Sequence, residues 1–215
     1  MKYYTGIGSR STPLDTRRLM TEISMYFQIN GYTLRTGSNS VADKAFELGA
    51  GTLKEIYVPW NGWEERRGIS TVNDSSLTLA RRIWIHRQKF GISILDDPSY
   101  DSTWEKLHEG TKILLAKTMC MIAGKDLNTQ SNALICWTPS CKLIGISAHP
   151  ITLALISRIP VFNLADKETE IILRNMLKEH IDPAIVIKNR KEKLNKGIEI
   201  FGTSLNSLMI SYTLS

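Results

Sequence analysis

Two carboxylates one helical turn apart are the residues of this sequence best suited to acid–base or nucleophilic chemistry. Asp43 and Glu47 lie four positions apart in residues 41–50, where apolar residues recur at helical spacing, so both would share one helix face. A carboxylate beside a ribose can cleave the N-glycosidic bond of a nucleoside phosphate as nucleophile or general acid/base. Alternatively, Asp43 complements the helix dipole and Glu47 is solvated. The sequence alone does not decide whether the protein is an enzyme.

A turn suited to holding a phosphate precedes this helix. Thr36 ends a strand-like stretch at 32–36, and Gly37 and Ser38 begin a polar turn. The free backbone N–H groups and the positive end of the helix dipole favour an anion at such a turn. Asp43, near the start of the helix, is a candidate of the same site. The alternative is an ordinary strand-to-helix turn capped by Ser40.

A second turn of this kind follows the first strand of the chain. Residues 2–5 are strand-like, and Gly6, Gly8, Ser9 and Arg10 precede a helix at 13–30 that Thr12 would cap. The Arg10 guanidinium suits paired hydrogen bonds to a phosphate or carboxylate, and a surface salt bridge is its alternative role. Right-handed crossovers place both turns at one edge of a parallel sheet. Two neighbouring anion sites predict a nucleotide cleft.

A third loop-to-helix junction is expected near residue 150. Residues 133–137 form a continuous apolar run, which is typical of a central parallel strand buried on both faces. Gly145 and Ser147 lie in the polar loop that follows, and Pro150 would open a helix at 150–158. Gly145 and Ser147 are therefore further phosphate-binding candidates.

Two tryptophans follow a predicted strand at 55–59. Trp60 and Trp63 flank a turn that would lie at the same sheet edge as the glycine turns. Aromatic rings at that edge could stack on nucleic-acid bases. In the alternative interpretation they cover the end of the hydrophobic core.

The order of the elements predicts the fold class. Further helices are predicted at 75–90, 102–123 and 167–180, with a strand at 159–164. This alternation favours an α/β protein with a Rossmann-like, doubly wound, largely parallel sheet and helices on both faces. We expect one nucleotide- or phosphate-binding domain over 1–187 and an unassigned basic C-terminal tail over 188–215. Neither turn matches GxGxxG or GxxxxGK[ST], which counts against NAD and against a P-loop NTPase.

Composition narrows the class of protein further. The 215 residues include 27 Lys and Arg against 21 Asp and Glu, a formal charge of +6, which permits a polyanionic partner. No apolar run reaches membrane-spanning length and no signal-peptide layout opens the chain, so a cytoplasmic protein without a membrane partner is expected. Three cysteines suit a reducing compartment. Cys136, Cys141 and His149 fit no standard zinc spacing, and we predict neither metal nor cofactor.

Three segments together resemble a known superfamily: YTGIGSRSTP, then LRTGSNSVADKAFELGA with EIYVPWNGW, then ICWTP, GIS and IPVFNL. They resemble the Rossmann-like superfamily that unites DprA/Smf recombination mediators with lonely-guy nucleotide phosphoribohydrolases, and most of all its small phage-type DprA-like members. In the pattern LRSGGAxGAD, Thr36, Gly37 and Asp43 match, whereas residues 38, 39 and 41 differ. The lonely-guy signature PGGxGTxxE, which supplies that family's catalytic glutamate, is absent.

The resemblance and the charge lead to three functional hypotheses. The first is a DprA-like protein that binds the phosphates of single-stranded DNA in a basic cleft, with Trp60 and Trp63 as stacking platforms. The second is a nucleoside-phosphate N-glycosidase, a nucleotide hydrolase. The third is a non-catalytic sensor of a small nucleotide signal. The expected partner is thus single-stranded nucleic acid or a nucleotide. The sequence also leaves open whether the protein forms a homo-oligomer.

Overall fold

Five parallel strands form one sheet in the part of the chain that the structure describes. The structure is a computed structural model, described for residues 1–37, 40–65, 68–70, 72–89, 103–143 and 145–195. The strands are β1 (Lys2–Gly8), β2 (Tyr32–Thr36), β3 (Lys54–Ile56), β4 (Ala133–Trp137) and β5 (Val161–Asn163). The helices are α1 (Leu14–Ile29), α2 (Val41–Gly49), α3 (Asp74–Lys89), α4 (Glu109–Ala123), α5 (Ala148–Ile156), α6 (Lys167–Lys178) and α7 (Pro183–Asn195).

The strand order is β3-β2-β1-β4-β5, with β1 at the centre. Every neighbouring pair is parallel: Lys2 of β1 lies opposite Tyr32 of β2, and Tyr4 lies opposite Ala133 of β4. The chain builds outward from β1 on one side and from β4 on the other, so the order reverses between these two strands. The predicted Rossmann-like, doubly wound α/β fold is confirmed, and the carboxyl ends of β1, β2 and β4 share one edge, as predicted.

Two hydrophobic cores cover the two faces of the sheet. One core is contributed mainly by α1, α2, α6 and part of α7, and the other mainly by α3, α4 and α5. Along β4, Leu134 and Cys136 belong to the second core, whereas Ala133 and Ile135 belong to the first. A strand buried on both faces needs apolar residues at every position, which explains the continuous run of the sequence.

Glycines allow α2 to approach β1 and α1 closely. A Cβ added at Gly6 would lie 2.6 Å from the Phe46 ring, and one at Gly8 would lie 2.5 Å from the Ala42 Cβ. A Cβ at Gly49 would lie 2.2 Å from the Thr21 carbonyl oxygen in α1. The strand β1 reaches Gly8, so Gly6 and Gly8 lie within the strand rather than in the turn that the sequence predicts.

The starts of α1 and α2 differ in how they are capped. The Thr12 hydroxyl donates to the Ser9 carbonyl at 2.7 Å instead of capping α1, which begins one residue later than predicted with Pro13 at its N-cap position. Ser40 caps α2, because its hydroxyl accepts the Asp43 N–H at 3.0 Å. The Ser40 cap that the sequence suggested is therefore present.

The last helix, α7, crosses the domain boundary expected at 187/188. Arg190 lies beyond that boundary, and its Nε donates to the Val161 carbonyl of β5 at 3.2 Å. Leu194 is buried as well. Residues 188–195 are thus part of the folded domain, and their Lys and Arg content concealed the helix from sequence reasoning. Residues 196–215 of the expected tail lie outside the described residues.

Two further helices begin elsewhere than predicted. α4 begins at Glu109 because His108 caps it: the imidazole Nδ1 accepts the Gly110 N–H at 3.1 Å. α5 begins at Ala148, so Pro150 lies inside its first turn rather than opening it. Among the described residues, every helix is too short or too polar to cross a bilayer.

Candidate functional site

A cavity of about 510 Å³ lies at the carboxyl ends of β1 and β4. Ile7 and Gly8 contribute from β1, while Thr138 and Pro139 contribute from the segment after β4. This is the point where the strand order reverses, and ligands of doubly wound sheets bind in the crevice formed there. The cavity thus lies at the sheet edge that the sequence predicts for the glycine turns, but between β1 and β4 rather than between the turns after β1 and β2.

The turn between β1 and α1 forms one side of the cavity. The Ser9 N–H donates to the Trp137 carbonyl at 3.2 Å, which ties this turn to the end of β4. The Ser11 N–H donates to the Ser9 hydroxyl oxygen at 3.2 Å, and the Thr12 N–H donates to the Ser9 carbonyl at 3.2 Å. Arg10 lies at the apex of this turn, exposed and lining the cavity. These hydrogen bonds hold the backbone of the turn, so the exposed Arg10 guanidinium extends from a fixed support.

The start of α2 supplies a carboxylate. Asp43 lines the cavity and is 5% exposed. Its Oδ2 accepts the Ser40 N–H at 3.2 Å and its Oδ1 accepts the Ser40 hydroxyl at 2.8 Å. The bond from the Ser40 N–H completes a capping box, and both bonds fix the orientation of the carboxylate. Asp43 thus has a structural role in addition to its place in the cavity.

A buried lysine from α4 lies on the opposite face of the sheet. Lys117 lines the cavity and is only 4% exposed. The Ser131 N–H donates to the Ile122 carbonyl at 2.9 Å, which ties the end of α4 to the segment entering β4, so α4 runs antiparallel to the strands. Helical side chains tilt towards the helix N-terminus. The Lys117 side chain is therefore directed to the carboxyl edge, where the cavity lies.

Sequence reasoning missed Lys117, although the sequence contains a signal for it. Within residues 113–123, ILLAKTMCMIA, it is the sole charged residue. A lysine in an otherwise apolar helical run is costly to bury, because removing an ammonium from water costs several kcal/mol. Such a lysine indicates a buried partner, an anion site or both. Thr118 and Met121 of the same helix also line the cavity.

The start of α5 contributes less than the sequence predicts. Gly145 and Ser147 both line the cavity, and Gly145 has φ +67°, a conformation that favours glycine. However, the N–H groups of Ala148 and His149 already donate to carbonyls of residues 145 and 146, at 3.2 and 3.1 Å. Pro150 has no N–H. The helix dipole remains, but few first-turn N–H groups are left for a phosphate.

The charges around the cavity favour an anion. Among the described residues that line it, Arg10 and Lys117 are cationic and Asp43 is the single carboxylate. The starts of α2 and α5 line the cavity and α1 begins beside it, so three helix N-termini add positive potential. Hydroxyl groups complete the lining: Ser9, Ser11, Ser40, Thr118, Thr138 and Ser147. This combination of cations, dipoles and hydroxyls is suited to a phosphate.

Several predicted site residues lie away from the cavity. Thr36 is buried, and its hydroxyl donates to the Gly6 carbonyl at 2.6 Å, which links β2 to β1. Gly6 faces the Phe46 ring, and Gly37 is buried without lining the cavity. Ser38 lies outside the described residues. The cavity is therefore lined by the first turn, the start of α2 and α4 rather than by the glycines of the second turn.

Glu47 and the two tryptophans are also outside the cavity lining. Glu47 accepts from the Lys54 ammonium at 3.4 Å, so it does not share a site with Asp43 as its spacing suggested. Trp60 and Trp63 contact each other edge to face, with ring centroids 4.5 Å apart and planes at 88°. Trp60 is 42% exposed. Stacking on a base would therefore require a ligand that extends beyond the cavity.

The described residues contain no group of three His, Cys, Asp or Glu side chains that could hold a metal ion. His149 instead packs against α3, where its Nε2–H donates to the Ala80 carbonyl at 3.0 Å. Burial, aided by the nearby Arg87 charge, lowers the pKa of His149 to about 3. Burial likewise raises the pKa of Cys136. Both groups are neutral core residues at physiological pH.

Comparison with protein-family models, with curated proteins and with solved structures found no match. The resemblance to the DprA-like superfamily therefore rests on the sequence motifs alone.

Proposed function

We propose that this protein binds a phosphorylated nucleotide in the cavity between the ends of β1 and β4. One observation carries this proposal. Two cations, the buried Lys117 and the exposed Arg10, line the cavity where the strand order reverses, and Asp43 is the single carboxylate among the described lining residues. Arg10, in the turn after β1, would form hydrogen bonds to phosphate oxygens. Lys117 would add a positive charge from α4, on the other face of the sheet. The hydroxyls of Ser9 and Ser147 offer further donors.

The dimensions of the cavity favour a mononucleotide over a strand. A volume of about 510 Å³ lies in the range of about 300–1,000 Å³ typical of small-molecule sites. Grooves for single strands accommodate about 4–16 nucleotides and offer several stacking aromatics. The exposed ring of Trp60 lies outside this cavity. Single-stranded DNA, the first hypothesis from the sequence, is the competing ligand.

Salt dependence separates the two ligands. A strand that neutralises several phosphates releases condensed counterions, so log K falls with log[salt] by roughly 0.7 for each phosphate contacted. A mononucleotide has no condensed counterion layer and weakens only through screening. We expect shallow salt dependence for nucleoside monophosphates, measured by calorimetry from 50 to 300 mM NaCl. Binding of labelled single-stranded DNA with a steep slope, and no binding of monophosphates, would refute the mononucleotide proposal.

A nucleoside-phosphate N-glycosidase is the second candidate, favoured by one observation. Asp43 is the single carboxylate among the described residues that line the cavity, and Arg10 lines the same cavity. The orientation of Asp43 is fixed by Ser40, as a nucleophile or general acid/base requires. Chromatography of monophosphate reactions tests for released base. Release by the wild type that Asp43→Asn abolishes would support hydrolysis, whereas binding without release would indicate a sensor.

A further inference from the structure

We propose that the cavity selects a terminal phosphomonoester over an internal phosphodiester, and that Lys117 determines this selectivity. The inference rests on the proposed function and specifies which phosphorylated ligand the site accepts. It concerns a residue that lies in the middle of an apolar helix and belongs to none of the glycine turns. Three charged groups face this space from the described elements around it: Arg10 before α1, Asp43 in α2 and Lys117 in α4.

The two cations lie at different depths in the cavity. Arg10 is exposed, whereas Lys117 is 4% exposed and approaches from the other face of the sheet. A phosphate that contacts Lys117 must therefore enter the buried part of the cavity. A terminal phosphate carries one substituent, which can extend back towards solvent. An internal phosphodiester carries two, so both chains would have to pass through the same cavity of about 510 Å³.

The two kinds of phosphate also differ in negative charge. A phosphomonoester carries about −1.5 to −2 at pH 7, because its second pKa is near 6, and a phosphodiester carries a single negative charge. Lys117 and Arg10 exceed the charge of Asp43 by one, and the helix N-termini add further positive potential. In a buried site the additional negative charge is worth more than it is in water. Removing the Lys117 charge should therefore reduce the preference for the dianion specifically.

The experiment compares one nucleotide in two chemical forms. The probe is whichever of AMP, GMP, CMP and UMP binds the wild type best, together with its 5′-methyl phosphodiester. Calorimetry at pH 7.5 measures both ligands against the wild type, Lys117→Met, Lys117→Arg and Lys112→Met. Lys112 is the matched control, since it lies in the same helix but pairs with Glu109 outside the cavity lining.

We expect the wild type and Lys112→Met to prefer the monophosphate by about ten- to hundred-fold, the scale of one charge-assisted hydrogen bond. Lys117→Met should reduce this preference to about two-fold or less, and Lys117→Arg should retain most of it. A loss of affinity for both ligands by the same factor would instead indicate a structural role. The wild-type comparison requires no variant, so failure of Lys117→Met to fold would still leave the selectivity falsifiable.

The pH dependence provides a second readout. With a second pKa near 6, the dianionic fraction of the monophosphate falls about four-fold between pH 7.5 and 5.5, and wild-type affinity should fall similarly. The methyl ester does not titrate in this range, so its affinity reports any change in Asp43 or elsewhere in the protein. Equal affinity for the two ligands, or a preference that survives Lys117→Met, overturns this inference. Failure of every monophosphate to bind the wild type overturns the proposed function as well.

Discussion

Replacing Gly8 by alanine should destabilise the protein through one close contact between β1 and α2. The added Cβ would lie 2.5 Å from the Ala42 Cβ, well inside van der Waals distance, and 3.2 Å from the Thr12 hydroxyl oxygen. Overpacking of a well-packed core costs about 1–3 kcal/mol. For a chain of this length, a loss of about 2 kcal/mol lowers Tm by about 4–8 °C.

A second substitution tests whether the contact with Ala42 is the cause. Ala42→Gly alone should cost about 1 kcal/mol from helix propensity. In the double variant the two methyl groups no longer meet, so the total cost should stay near about 1 kcal/mol instead of the additive 3. Urea unfolding of all four proteins measures this coupling. Additive losses would refute the explanation of Gly8 as a packing glycine.

Three further predictions concern other parts of the molecule. Arg10→Ala should weaken the binding of a phosphorylated ligand by about 1–3 kcal/mol, while the exposed Arg18→Ala should leave the affinity measured by calorimetry unchanged. Asp166→Ala should lower the free energy of unfolding by about 1 kcal/mol, because the carboxylate caps α6 by accepting the Thr169 N–H at 3.1 Å and hydroxyl at 2.6 Å; equal urea midpoints for variant and wild type would contradict this. The pKa of His149 is lowered to about 3 by burial, so above the ordinary pKa of 6.5 the imidazole is neutral in both the folded and the unfolded chain and does not lower the free energy of unfolding. As pH falls from 6.5 towards 3, the unfolded chain binds the proton first, so the free energy of unfolding should fall by up to about 1.4 kcal/mol per pH unit. Urea unfolding at several pH values should show a weaker pH dependence of this free energy in His149→Gln.

Local patterns were sufficient to predict the sheet, because each strand is specified by its own residues. The apolar run at 133–137 corresponds residue for residue to β4, and Tyr32–Thr36 corresponds to β2. The end of β1 was missed because glycine usually indicates a turn, whereas Gly6 and Gly8 lie in a strand that α2 approaches closely. Only the tertiary contact with α2 distinguishes these two roles of glycine.

The sequence predicted the sheet edge at which the cavity lies, but only some of the residues that line the cavity. Parallel strands bring the loops that follow them to one edge, so the first turn and the start of α2 were expected together. Lys117 reaches that edge from the middle of a helix, through the antiparallel course of α4 and the tilt of its side chain. The apolar run around Lys117 marks the residue as unusual, but no local pattern encodes its position at that edge. Glu47, four residues after Asp43, pairs with the Lys54 ammonium instead, a tertiary contact that helical spacing alone does not reveal.

Because the cavity is assembled by segments from both faces of the sheet, ligand binding and folding should be thermodynamically linked. Arg10, Asp43, Lys117 and Ser147 meet only in the folded chain, so a ligand that binds them stabilises the native state by RT ln(1 + [L]/Kd). At a ligand concentration of 100 Kd this is about 2.7 kcal/mol, which raises Tm by about 5–11 °C for a chain of this length. Thermal unfolding with nucleoside, nucleoside monophosphate and inorganic phosphate at matched ionic strength can therefore identify the part of the ligand that the site recognises. We expect a large shift with a monophosphate, a smaller one with phosphate and the smallest with the nucleoside, because the proposed site would contact the phosphate through Arg10 and Lys117. A nucleoside that stabilises the protein as much as its monophosphate would show that Arg10 and Lys117 do not form a phosphate site.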